Sequence, residues 1–476
     1  MAESNTAENN TASVATLQSE ASVPHSLTQD DDKDTLPYTH FSARYRALIV
    51  TIAAITSLVS PLSSNMYYPS IQRVRDDLHT TQSGITWTVT AFTICMAVTP
   101  LFWSNLADRI GRKPVYAASM FIYTAGSIGC ALSKSLTALV ISRIIQSTGA
   151  SAVKGSGAGT IADIYPRERR GTALGIYYLG PLVGPCIGPL VGGYVGQNLG
   201  WRWVFWILTI WGGTMCFVAM FVLPETHRRM VSMKHKIQQT NIPKPFSIRN
   251  NNPLVDLALI RYPPVYISLY FFAMVFGTYV VNLVGLALAF EDVYRLSQGA
   301  SGLCYFPVGA GAITGSLSSG RITDLMLRRY QRRQDVEGGQ RGSVSPETRI
   351  RLTWISGTMF LVSIALSGWI INRHWSLSAL LVVQFFTGLG MAFSFHSLAS
   401  YLIDVFPLKS ARITGVQNFY RGMWGAVVVQ LFPTMLDSIN WGWTYMILVF
   451  IAVPGLAGIQ FLVSSGEKLR HRFGPH

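Results

Sequence analysis

Residues 143–166 read RIIQSTGASAVKGSGAGTIADIYP. The stretch is built from apolar and small residues, as a membrane-buried helix is, yet it holds Arg143 and Lys154. A cation at mid-bilayer costs about 2.5–3.5 kcal/mol on insertion scales, so each needs a reason to be there. The stretch ends in Asp163-Ile-Tyr-Pro166, which returns as Asp404-Val-Phe-Pro407, 241 positions later. Trp201-x-Trp203 returns as Trp441-x-Trp443, 240 positions later. Asp108 is echoed by Asp324 in GRITD at an offset of 216, because the loop around Asp324 is about 25 residues longer. Nearly constant offsets at unrelated sites indicate that the chain is a duplication.

Composition states what is duplicated. The chain has 476 residues, of which 13% are charged, against roughly 25% in soluble domains. A helix needs about 20 mostly apolar residues to cross a bilayer. Runs of that kind are expected at 45–68, 85–106, 114–132, 137–163, 171–196, 201–223, 263–290, 300–326, 351–371, 376–404, 412–437 and 441–465. The expectation is an all-α membrane protein of twelve transmembrane helices in two six-helix pseudo-repeat bundles. The bundles are 45–223 and 263–465, joined by a cytoplasmic linker at 224–262, with a disordered N-terminal tail at 1–44 and a C-terminal tail at 466–476. Of 38 Lys and Arg, with those at span ends counted in the adjoining loop, 29 fall on the side that carries both termini, six on the other side and three deep inside spans. By the positive-inside rule both termini are cytoplasmic. The net charge of +15 is spread over these short loops, so it does not mark a nucleic-acid surface. The five cysteines lie in apolar runs without a CxxC, which argues against disulfides and against a metal site. No GxSxG, HExxH or P-loop is present, and neither an enzyme nor a cofactor is expected.

Four segments resemble the major facilitator superfamily in its twelve-span drug:proton antiporter branch. SNLADRIGRKPV (104–115) resembles the family's loop between spans two and three, with Ser104 where Gly is usual. RIIQSTGAS resembles its fourth-span segment, and GIYYLGPLVGPCIGPLVGGY (175–194) resembles the antiporter motif of span five. SPLSSNMYYP (60–69) is similar to the branch holding fungal exporters of organic acids and of drugs. Pro224-Glu225-Thr226 occurs in other branches too and is given no weight. The resemblance covers 45–465 and implies alternating access, with a substrate site between parallel six-helix repeats at the midplane. It also implies a conformational latch of Asp108, Arg109, Gly111, Arg112, Lys113 and Asp163, in which the acids and arginines hold the bundles together in one state. The alternative for the basic residues is a plain orientation signal. In the antiporter motif, Gly180, Gly184, Gly188 and Gly192 recur every four residues and form a smooth ridge that lets helices approach closely. Pro181 and Pro185 follow two of them, and Gly193 closes the motif. Tight packing is one reading of the ridge; a bundle-to-bundle hinge is the one the resemblance implies.

Arg143 and Lys154 are 11 residues apart, which puts them on one helix face, about 16 Å apart along the axis. Arg421 falls mid-span in QNFYRGMWG. The span interiors offer no Asp or Glu near mid-depth to neutralise these cations. Such an interior suits an anion, and Arg suits a carboxylate in particular. The candidate substrate-binding residues are therefore Arg143, Lys154 and Arg421, supported by Asn65, Gln146, Asn282, His396 and Gln417. The reading is a monomeric plasma-membrane exporter of a small, carboxylate-bearing metabolite. Protons are a possible coupling partner and the bilayer is the surround. Two alternatives stay open: a multidrug:proton antiporter reading its cargo with aromatics such as Tyr67, Tyr68 and Phe419, and a non-transporting receptor on the same fold.

Overall fold

The computed structural model describes residues 41–165, 170–227, 262–336, 346–405 and 410–473. Most of the N-terminal tail and of the linker expected at 224–262 lies outside the described residues. The first six long helices are α1 (Ala43–Asp77), α2 (Gln82–Ile110), α3 (Arg112–Leu132), α4 (Leu136–Ile164), α5 (Arg170–Asn198) and α6 (Trp201–Phe221). The next are α7 (Pro263–Val293), α8 (Phe306–Val336, after a short helix Gln298–Cys304), α9 (Thr353–Asn372) and α10 (Leu377–Val405). The last helix, Ser410–Phe473, is broken at Asn440 (φ 70°, ψ 171°) into α11 and α12. Nine described helices are long and apolar enough to cross a membrane, one of them holding both α11 and α12. The helices overrun the expected spans. α8 continues to Val336 through RRYQRR, and α12 runs on to Phe473 within the segment expected as the C-terminal tail. Lys, Arg and Gln are good helix formers, so hydropathy ends before the helix does.

Local chemistry explains where helices begin. Thr81 Oγ1 accepts from the Gly84 N–H at 3.0 Å, and Ser135 and Ser297 cap α4 and the Gln298 helix in the same way. Within the helices, hydroxyls donate back to carbonyls four residues earlier, as Thr56 does to Ile52 at 2.7 Å, so polar groups stay satisfied away from water.

The duplication is visible in the backbone. Gly200 (φ +91°) precedes Trp201, and Asn440 (φ +70°) precedes Trp441, 240 positions later. Gly and Asn are the residues that reach positive φ at least cost. Gly149 lets α4 approach α3 at Tyr123 and Ser119, and Gly390, 241 positions on, lets α10 approach α9 at Phe360 and Ser356. The helices also sort by environment. The most apolar window of α7 is 94% buried, whereas that of α6 is 33% buried. α6 shows Ile210, Phe217 and Phe221 outward, and α12 shows Trp443, Phe450 and Phe461. Large apolar side chains facing outward on a helix of membrane length are what lipid contact requires.

Candidate functional site

At the end of the bundle opposite Arg112, hydrogen bonds join the two halves. Gln72 donates to Asp292 (3.0 Å), Thr90 donates to Gln430 (2.9 Å), Gln430 donates to Ser83 Oγ (3.3 Å), and the Gly299 N–H donates to Gln197 (2.8 Å). α5 carries the contact deeper. The Cα of Gly193 lies against Gly302, and Cys186 lies against Gly309, where an added Cβ would come within 2.9 Å of the cysteine Cα.

The opposite side of α5 is the glycine ridge, and it packs within its own half. A Cβ at Gly180 would meet Ser57 and one at Gly184 would meet Pro61; at Gly188 it would meet Asn65, and at Gly192 Met66, all on α1. Pro181, Pro185 and Pro189 lie inside the helix without ending it. Thus one face of α5 seals α1, and Gly193 serves the other half.

The loop residues expected as a latch cluster at the other end. Arg112 is 8% exposed; it pairs with Asp108 through NH1 (3.0 Å) and with Asp163 through Nε (3.0 Å). Gly159, one turn before Asp163 on α4, makes room for the guanidinium: a Cβ there would fall 2.9 Å from its Cζ. Arg109 is exposed. These ion pairs join α2, α3 and α4, all of the first half. Glu225 is not among the residues expected in the latch. Its carboxylate accepts from the backbone N–H of Arg112 (2.8 Å) and Lys113 (3.2 Å) at the start of α3, and from that of His227 (2.9 Å). It thereby fills orphan donors of a helix N-terminus, a place that favours negative charge. Gly111 at φ +99° brings the chain into that position. Burial holds the His227 imidazole below its usual pKa, so near neutral pH it adds no positive charge to this cluster. The sequence signal for Glu225 was an acid beyond the end of a span, with its partner more than a hundred residues away.

The interior cations differ sharply. Arg143 is 1% exposed, deep in the first half. Its NH1 donates to the Ser63 carbonyl (2.9 Å) and to Gln146 (2.8 Å), and Gln146 passes a hydrogen bond on to Ser127 (2.9 Å). The guanidinium lies over Phe92 (4.2 Å), Tyr67 (4.8 Å) and Phe205 (5.8 Å). The second half repeats this motif in neutral form. Gln384, at Arg143 plus 241, bonds Asn282 (2.8 Å) and donates to Ser367 (3.1 Å), which is Ser127 plus 240. Asn282 is fully buried in that pair. Asn65 donates to the Pro61 carbonyl (2.7 Å) under the ridge. His396 shares a hydrogen bond with Ser316 (2.8 Å).

Arg421 is only half-buried. It lies over Phe276 of α7 (4.5 Å) and Phe395 of α10 (5.1 Å). Among the described residues it has neither a hydrogen bond nor an ion pair. Gln417, one turn earlier, is 4% exposed with Nε2 unpartnered. The structure therefore brings Arg143 to Gln146 and sets Gln417 one turn from Arg421, and among the described residues the two arginines share no hydrogen-bond or ring partner. Lys154 stands on α4, and its side chain lies outside the described residues.

A duplicated, membrane-length helical bundle with polar groups where its halves meet defines a multi-pass membrane transport protein. The chain belongs to the Major Facilitator Superfamily, whose family model matches residues 53–429. It is 28% identical to the MFS-type transporter phiD of a fungal species over 467 residues, covering 91% of this chain and 70% of the relative. It is 29% identical to citrate exporter 1 of Aspergillus niger over 485 residues, covering 95% of this chain and 90% of the relative. Its fold is similar to the crystal structure of a D-xylose-proton symporter, with a TM-score of 0.66 at 14% identity over 86% of this chain and 96% of that one.

Proposed function

We propose that this chain exports a small carboxylate-bearing metabolite across the plasma membrane by alternating access. The observation that carries the reading is the sign of the interior: Arg143, Lys154 and Arg421 lie within spans that hold no acid near mid-depth. An anionic cargo supplies the charge these cations lack, whereas a cationic drug meets repulsion. The name of the Aspergillus niger relative, a citrate exporter, supports the same class. In this proposal the chain acts as a monomer, and the halves 45–223 and 263–465 rock against each other. The cationic loops, with both termini, face the cytoplasm, as the bias of 29 of 38 Lys and Arg supports. An inside-negative potential then drives an anion outward by roughly 2.3 kcal/mol per charge per 100 mV. Efflux of carboxylates from loaded vesicles tests this. Lys154→Ala and Arg421→Ala are expected to slow it. Unchanged efflux in both variants sinks the cation-based reading.

A further inference from the structure

Arg143 and Arg421 look alike in the sequence, and the structure separates them. Arg143 has a carbonyl, an amide and three aromatic faces, and solvent does not reach it. Arg421 has two aromatic faces and, among the described residues, nothing for its N–H groups. It also stands at the seam between the halves. The next residue, Gly422, is packed so tightly on α2 that an added Cβ would fall 3.2 Å from the Ala97 Cα. A second observation points the same way. Gln417 is 4% exposed, and among the described residues its Nε2 donor has no partner. Residues four apart on a helix share a face, with Cβ atoms about 5–6 Å apart. Unused donors on one helix face thus include a guanidinium and an amide, and what completes them is an acceptor.

The surroundings specify the rest of the ligand. From Phe271 to Phe290 every residue is buried except Phe276, which is half-buried beside Arg421. Phe395 is half-buried too and stacks on Phe272 at 4.3 Å. The accessible surface that α7 and α10 place over the cation is therefore aromatic.

We propose that Arg421 and Gln417 form a carboxylate subsite, walled by Phe276 and Phe395, for a cargo that carries its carboxylate on an apolar or aromatic body. This rests on the reading of the chain as a carboxylate exporter. The guanidinium fork takes both oxygens of the carboxylate, as Lys cannot, and Gln417 donates to a remaining lone pair. The two rings stabilise the cation while the site is empty.

The test uses the purified full-length protein in detergent, with benzoate, acetate and benzylammonium as probes and ligand-dependent thermal stabilisation as the readout. Benzoate is expected to stabilise the wild type at lower concentration than acetate, and benzylammonium not at all. Arg421→Ala is expected to weaken benzoate at least about ten-fold, the loss that follows from removing hydrogen bonds to a charged group. Arg421→Lys keeps the charge and is expected to recover only part of that loss. Gln417→Leu weakens benzoate with its unliganded melting unchanged, and Phe276→Ala weakens benzoate more than acetate. Wild-type affinity in both Arg421 variants, or equal binding of benzylammonium, overturns the subsite. If the wild type moves carboxylates in vesicles and Arg421→Ala moves them equally well, the subsite falls and the exporter reading stands. If the wild type neither binds nor moves any carboxylate, both fall.

Discussion

Glu225→Ala removes a cap that three backbone donors share. Two of them, the N–H groups of Arg112 and Lys113, open α3 at 2.8 and 3.2 Å from the carboxylate. Losing an N-terminal cap costs about 0.5–2 kcal/mol. The lost charge at the positive end of the helix adds about 0.3–1 kcal/mol. Glu225 is half-buried, so water recovers part of this, and the expected loss is about 1–2 kcal/mol. In a chain of this size that lowers the melting midpoint by about 1–4 °C. Glu225→Gln keeps one acceptor oxygen without the charge and is expected to fall between. Gly111→Ala strains a residue at φ +99° and places its Cβ against the Glu225 carboxylate. It should break the same cap, so the double variant should lose less than the sum of the singles. Melting of all four proteins by intrinsic fluorescence in one detergent reads out the cycle. Additive losses, or a Glu225→Ala midpoint equal to wild type, refute the capping argument.

Asp163→Ala should destabilise by about 2–4 kcal/mol, because it strands the buried Arg112, whereas Asp108→Ala, whose side chain is 61% exposed, should cost under about 1 kcal/mol. A reversed order in thermal melting counts against the pairing. Gly188→Leu should overpack the α5–α1 contact at Asn65 and cost about 1–3 kcal/mol, while Gly175→Ala, with nothing within 4 Å, should be neutral or slightly stabilising. Equal effects of the two on expression and melting rule out the ridge as a packing surface. Thr90→Cys with Gln430→Cys, in a background freed of the five native thiols, should cross-link under oxidation and stop transport until reduced. Unimpeded transport in the cross-linked protein shows that this end does not open.

The membrane makes the architecture local, which is why so much of it can be read along the chain. In hydrocarbon each backbone N–H must bond within its own helix, so a run of apolar residues is already a helix. The recurrence of Asp-x-x-Pro and Trp-x-Trp makes two halves of six, and Gly200 with Asn440 carries that duplication into the dihedral angles. The four-residue spacing of the glycines likewise marks a close-packed face without a structure.

What those residues touch was decided elsewhere. The ridge could serve a neighbour in its own half or the opposite half, and only three-dimensional placement puts Gly180 to Gly192 on α1 and Gly193 on Gly302. Pro224-Glu225-Thr226 looks like a loop until its carboxylate meets amides 113 and 112 positions earlier. The two arginines show the division most plainly. Helical register puts a cation at 143 and another at 421, but a cation's availability depends on which acceptors and rings reach it from other helices. Arg143 is met by Ser63, 80 residues away, and is spent inside the first half. Arg421 meets two phenylalanines and, among the described residues, keeps its donors free, because α7 and α10 bring rings to it and no acceptor.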